Sequence, residues 1–110
     1  MSEAIERIES AIRGNKIMVF MKGTRSFPQC GFSAATVQML EDLGAEFGTV
    51  DVLADQELRE AIKQYSNWPT IPQVYIDGKF VGGCDIIREL YESGELEPMV
   101  KAALAQNAPQ

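Results

Sequence analysis

The chemistry open to this chain centres on two thiols, Cys30 and Cys84. Cys30 opens the tetrapeptide Cys30-Gly31-Phe32-Ser33, where a connecting segment gives way to a helical pattern. A thiol at a helix start faces backbone N–H groups without intrahelical partners and the positive end of the helix dipole, and both favour thiolate over thiol. The chemistry implied is nucleophilic attack or metal ligation. Taken alone, a cysteine is more often a small buried hydrophobe, so the surroundings decide. Histidine is absent, which removes Cys-His and Ser-His nucleophile pairs, histidine metal ligands and a histidine general base. Activation of Cys30 then falls to backbone dipoles and to lysine or arginine.

The 110 residues, 45% hydrophobic and 24% charged, have the composition of an ordinary globule. The expected organisation is one domain over 1–110, with 105–110 frayed. No apolar run approaches the roughly 18 residues of a membrane span. The acidic start, Met1-Ser2-Glu3, carries no secretory signal, so a cytoplasmic, reducing setting and two free thiols are expected. A net charge of −6 argues against nucleic acid as a partner, because phosphate binding normally needs a basic surface.

The elements that must position Cys30 follow from pattern. Ser2 as N-cap, then Ile5, Ile8 and Ile12 at helical spacing with Gly14 as a stop, predict a first helix. Within residues 16–21, the run Ile17-Met18-Val19-Phe20-Met21 is apolar without alternation, which suits a strand buried on both faces. Lys22 to Gln29 connects it to Cys30. Thr36, Met39, Leu40 and Leu43 form the stripe of a second helix closed by Gly44, and Phe47 to Val52 is rich in strand formers. A strand-helix-strand order of this length implies a parallel pair with a right-handed connection. Cys30 then lies beyond the C-terminal end of a parallel strand, where open α/β sheets place their sites. Asp55 caps a third helix with Leu58, Ala61, Ile62 and Tyr65 inward and Arg59 and Lys63 outward. The segment Trp68-Pro69-Thr70-Ile71-Pro72 precedes a hairpin, Val74-Tyr75-Ile76 and Phe80-Val81, joined by Asp77-Gly78, a type I′ signal. Gly82-Gly83 leads into a helix marked by Ile86, Ile87, Leu90 and Tyr91. After Gly94 a last helix carries Leu96, Met99, Val100, Ala103 and Leu104.

With Lys22-Gly23, Cys30-Gly31-Phe32-Ser33, Trp68-Pro69-Thr70-Ile71-Pro72-Gln73 and Gly82-Gly83-Cys84-Asp85 in this order and spacing, the chain resembles a monothiol glutaredoxin of the single-domain CGFS type over nearly its whole length. The resemblance implies an α/β thioredoxin fold with a central four-stranded mixed sheet flanked by helices on both faces. It implies glutathione binding and a [2Fe-2S] cluster that bridges two protomers, used in cluster assembly and transfer. Ser33 stands where dithiol relatives carry a second cysteine, so dithiol chemistry at the motif is impossible.

The same resemblance assigns residues. Lys22 and Arg59 contact the glycyl carboxylate of glutathione, Arg59 through its planar fork, although each alone reads equally as a solvated cation. Lys63, one turn beyond Arg59, is a weaker candidate outside that set. An X-Pro bond is cis only about 5–6% of the time; the resemblance nonetheless implies a cis Ile71-Pro72 bond, with the Ile71 N–H and C=O turned toward a bound extended peptide. Cys84 and Asp85 receive the γ-glutamyl carboxylate on backbone N–H groups. Asp85 could instead accept from the γ-glutamyl ammonium. Phe32 and Trp68, as aromatics taken alone, read as core.

Three functions of different classes remain open. One is an iron-sulfur carrier with Cys30 as metal ligand, a homodimer when loaded, serving iron-sulfur recipient proteins. Another is a weak glutathione-dependent oxidoreductase with Cys30 as the catalytic thiol. The third is a regulatory adaptor for a BolA-type partner. The carrier is the favoured expectation.

Overall fold

The computed structural model describes residues 2–105, so the predicted fraying of 105–110 lies, apart from Ala105, outside the described residues. β1 (Ile17–Met21) is the axis of the sheet, and all five of its residues are buried. Its lack of alternation has a direct cause. Ile17, Val19 and Met21 enter one core with residues of α2 (Gly31–Asp42), α4 (Cys84–Ser93) and α5 (Leu96–Ala105), whereas Met18 and Phe20 enter another with α1 (Glu3–Gly14) and α3 (Gln56–Ser66). Successive strand residues point to opposite faces, so a strand covered twice must be apolar throughout. Each fully buried side chain of this size contributes about 1.5–3 kcal/mol relative to exposure.

β2 (Gly48–Asp51) runs parallel to β1, and Met21 stands opposite Asp51 at the strand ends. β3 (Gln73–Ile76) pairs antiparallel with β1, and β4 (Lys79–Gly82) with β3, giving the order β2-β1-β3-β4. This is the mixed sheet with helices on both faces that the resemblance implied. The β3–β4 turn places Asp77 at φ 53° and Gly78 at φ 78°, the two positive values a type I′ turn requires.

Local signals account for the helix ends. Ser2 Oγ accepts from the Ile5 N–H at 3.1 Å. Asp55 Oδ1 accepts from the Glu57 and Leu58 N–H groups at 3.0 and 3.3 Å, satisfying donors that a helix start leaves open. Three sequence expectations need correction. The second strand is shorter than 47–52, because Asp51 accepts from the Leu53 N–H and turns Val52–Ala54 into a 3-10 helix. Tyr65 is not inward: at the last turn of α3 it is exposed, its ring tilted against Tyr75 at 6.2 Å. The α2 stripe also takes in Ser33 and Val37, both buried, while Leu43 is only half-buried.

Candidate functional site

Cys30 is the N-cap of α2, with extended backbone (φ −150°, ψ 134°), and its carbonyl accepts from the Ala34 N–H at 2.9 Å. Its side chain is half-buried at the mouth of a groove of about 460 Å³. As a thiol it closes no cap hydrogen bond. Burial pushes its pKa up, but the backbone N–H of Ser33, that of Phe32, the Ser33 hydroxyl and the Lys22 charge, in that order, together outweigh burial and hold it below the ordinary thiol value. Helix-end donors contribute more than the lysine.

The approach to Cys30 is a closed turn. Gly23 has φ +92°, and a Cβ there would come within 2.6 Å of Gln29 N and Phe27 O, so only glycine fits. Lys22 O accepts from the Gln29 N–H at 2.8 Å, and Thr24 and Phe27 exchange N–H···O bonds at 3.2 and 3.1 Å. Arg25 ties this turn to the body of the protein. Its guanidinium lies 3.9 Å from the Phe47 ring centroid, and its Nε donates to Glu41 at 3.1 Å.

All the residues assigned from the resemblance reach one groove: Lys22, Cys30, Arg59, Ile71, Cys84 and Asp85 line it together. Lys63 lines it too, and both α3 cations are half-buried on the groove wall instead of solvated on an outer face. The Arg59 Nε is buried with no hydrogen-bond partner among the described residues. The Ile71-Pro72 peptide is cis, and the Ile71 backbone engages no partner among the described residues. Cys84, at 6% exposure, begins α4 after Gly83. Phe32 and Trp68 are not core: they are 62% and 37% exposed on the groove, Trp68 packing on Phe80 at 5.7 Å. Both thiols are free.

Three residues that shape the site had no role assigned from sequence. Ser33 is fully buried, and its Oγ accepts from the Lys22 N–H at 3.1 Å. Asp51 accepts from the Gly23 N–H at 2.9 Å. Gln73, fully buried, donates to the Trp68 and Thr70 carbonyls at 3.1 and 3.3 Å and so braces the loop that ends at the cis peptide. A polar residue on an otherwise apolar stripe was the signal for Ser33 and Gln73.

Comparison with known proteins decides the family. The glutaredoxin family profile matches residues 17–81, more than half of the chain. An uncharacterized monothiol glutaredoxin, ycf64-like, of Synechocystis sp. is 60% identical over 103 residues, covering 94% of this chain and 96% of that protein. The chain belongs to the monothiol glutaredoxins. Its solved neighbours agree in fold: the solution structure of reduced poplar apo GrxS14 is 48% identical with a TM-score of 0.82, covering 92% of this chain and 93% of that one. A buckwheat glutaredoxin–glutathione complex is 27% identical with a TM-score of 0.81, covering 91% and 89%. As a monothiol glutaredoxin with a thioredoxin fold, the chain presents Cys30 as its motif thiol and Ser33 at the motif's fourth position. Among the described residues no helix is long and apolar enough to cross a membrane, and no group of three or more His, Cys, Asp or Glu could hold a metal ion.

Proposed function

We propose that this glutaredoxin binds glutathione in the groove beside Cys30 and carries a [2Fe-2S] cluster as cargo between two protomers. The observation that carries the glutathione reading is the unpaired polarity of the groove. The Arg59 Nε is buried without a partner and the Ile71 N–H and C=O engage none among the described residues, and both residues line the groove. Buried donors are nearly always satisfied, so an orphan donor on a residue that lines the groove fits a missing acceptor. α3 and α4 pack in the two different cores, so Arg59 and the Cys84 and Asp85 N–H groups reach the groove from opposite sides of the sheet, and Lys22 lines the same groove. That suits an extended peptide with a carboxylate at each end. Glutathione is such a peptide, and the buckwheat neighbour is a glutathione complex. The assignment gives Lys22 and Arg59 the glycyl carboxylate, the Ile71 backbone the peptide's own backbone, and the start of α4 the γ-glutamyl carboxylate.

Glutathione so held brings a second thiol to Cys30. Four thiolates usually hold a [2Fe-2S] cluster, and this chain supplies one accessible thiol and no histidine. Two chains with two glutathiones complete the set, so the loaded form is a homodimer, and exchange of half the ligands makes the cargo transferable to recipient proteins. The exposed Phe27 and Phe32 next to Cys30 give such a dimer apolar surface to bury.

The test is anaerobic reconstitution with iron, sulfide and glutathione, read by visible absorption and mass, then repeated without glutathione. The carrier reading expects a coloured dimer only with glutathione. A colourless monomer in its presence, or the same cluster without added thiol, overturns it. The lowered Cys30 pKa favours a second reading, removal of glutathione from protein mixed disulfides, in which the Cys30 thiolate attacks the glutathione sulfur and releases the protein thiol. A second glutathione would then attack the Cys30–glutathione disulfide, leave as glutathione disulfide and return the Cys30 thiolate, so turnover on a glutathionylated protein with glutathione as reductant measures it.

A further inference from the structure

Asp51 is an acid next to the segment that carries Lys22, and on electrostatic grounds alone it is misplaced, since it opposes the anion that Lys22 would attract. Its geometry gives it another role. Oδ1 accepts from two backbone donors, Gly23 N–H and Leu53 N–H, each at 2.9 Å. No lysine or arginine among the described residues forms an ion pair with it.

Lys22 is the first residue after β1, where the ladder no longer holds the chain. Three contacts replace the ladder: the Lys22 N–H donates to Ser33 Oγ at 3.1 Å, its carbonyl accepts from the Gln29 N–H at 2.8 Å, and the next N–H is the one that Asp51 takes. Because Gly23 sits at φ +92° without room for a Cβ, the turn has one shape, and Asp51 is the side chain that ties its tip to the end of β2.

We infer that Asp51 is a positioning residue: by holding the Gly23 N–H it fixes the turn that presents the Lys22 ammonium to the groove, and it thereby sets how strongly the terminal carboxylate of the bound peptide is gripped. This rests on the glutathione reading above and adds a residue that does not itself line the groove. The carboxylate acts through the backbone, not through its charge.

The test titrates the full reduced chain by calorimetry with two probes, glutathione and its glycinamide analogue, which lacks the terminal charge. The unsubstituted chain is expected to prefer glutathione. Asp51→Ala should weaken glutathione about tenfold, the scale of one hydrogen bond to a charged group, while binding the analogue as before. Asp51→Asn, whose amide oxygen can accept from the same two N–H groups, should restore most of the preference. If Asp51 acts as a charge, both variants bind glutathione more tightly; if it only stabilises the fold, both peptides weaken alike; either outcome overturns the inference. Should Asp51→Ala not fold, the Gly23 amide resonance of the unsubstituted chain decides, since it must shift more with glutathione than with the analogue. An unsubstituted chain that binds neither peptide counts against the glutathione reading itself, whereas a preference retained in Asp51→Ala overturns only the role of Asp51.

Discussion

The Ser33 hydroxyl accepts from the Lys22 N–H at 3.1 Å, so the residue that replaces a second motif thiol is a buried link between the start of α2 and the end of β1. With one lone pair given to Lys22, the hydroxyl keeps its proton to donate, and Cys30 is favoured as a thiolate by that donation. One side chain therefore supports both the turn and the thiolate.

Ser33→Ala leaves the Lys22 N–H without its acceptor in a half-buried place. An unsatisfied donor of this kind costs about 1–2 kcal/mol, so the melting temperature should fall measurably by calorimetry. The same variant should raise the Cys30 pKa in an alkylation profile. A variant with unchanged melting temperature and unchanged profile would show that the hydroxyl does neither.

Cys30 should alkylate with a midpoint below that of a free thiol, because helix-start donors and the Lys22 charge together outweigh its burial. Stability depends on pH with the corresponding sign. A folded pKa below the unfolded one adds stability that is fully present above the unfolded value, about 8.5, and is lost as pH falls through the folded value. The stability gap between the unsubstituted chain and Cys30→Ser should thus widen from neutral pH to pH 9 in denaturant titrations. A gap that narrows over that range would mean that folding raises the Cys30 pKa instead of lowering it.

How much of this was legible in sequence depends on how local each signal is. Ser2, Asp55 and Asp77-Gly78 act on neighbours within a few residues, and their patterns named the caps and the hairpin turn correctly. β1 was legible because two-faced burial leaves a continuous apolar run. Arg59 and Lys63 were legible only through family resemblance, since a helical wheel puts them on a polar face and nothing local shows that the Trp68–Pro72 loop folds over that face. Ser33 and Asp51 act through hydrogen bonds to residues 11 and 28 positions away, which no short-range pattern encodes.

The two thiols should separate cleanly. Cys30→Ser should abolish cluster binding and deglutathionylation together, because Cys30 is the accessible thiol at the α2 start. Cys84 is 6% exposed and is assigned its backbone N–H, so Cys84→Ser should leave glutathione affinity within about twofold. Its sulfur lies 3.7 Å from the Arg88 guanidinium, a contact a hydroxyl can replace. Equal losses in both variants, measured by reconstitution and calorimetry, would contradict the division of roles.

Arg59 should show stability and binding moving in opposite directions. In the free chain its Nε is a buried donor without a partner among the described residues, which costs of the order of 1 kcal/mol or more. Methionine keeps most of the apolar stem on the groove wall and removes the orphan, so Arg59→Met should melt higher than the unsubstituted chain by a few degrees, the shift that about 1 kcal/mol produces in a chain of this size. The same substitution removes the planar fork that would hold a carboxylate, so the rise in melting temperature on adding glutathione should shrink by most of its size. Scanning calorimetry with and without glutathione reads both quantities from the same samples. A variant that melts lower and still responds fully to glutathione would mean that Arg59 is structural and that the groove grips its ligand elsewhere.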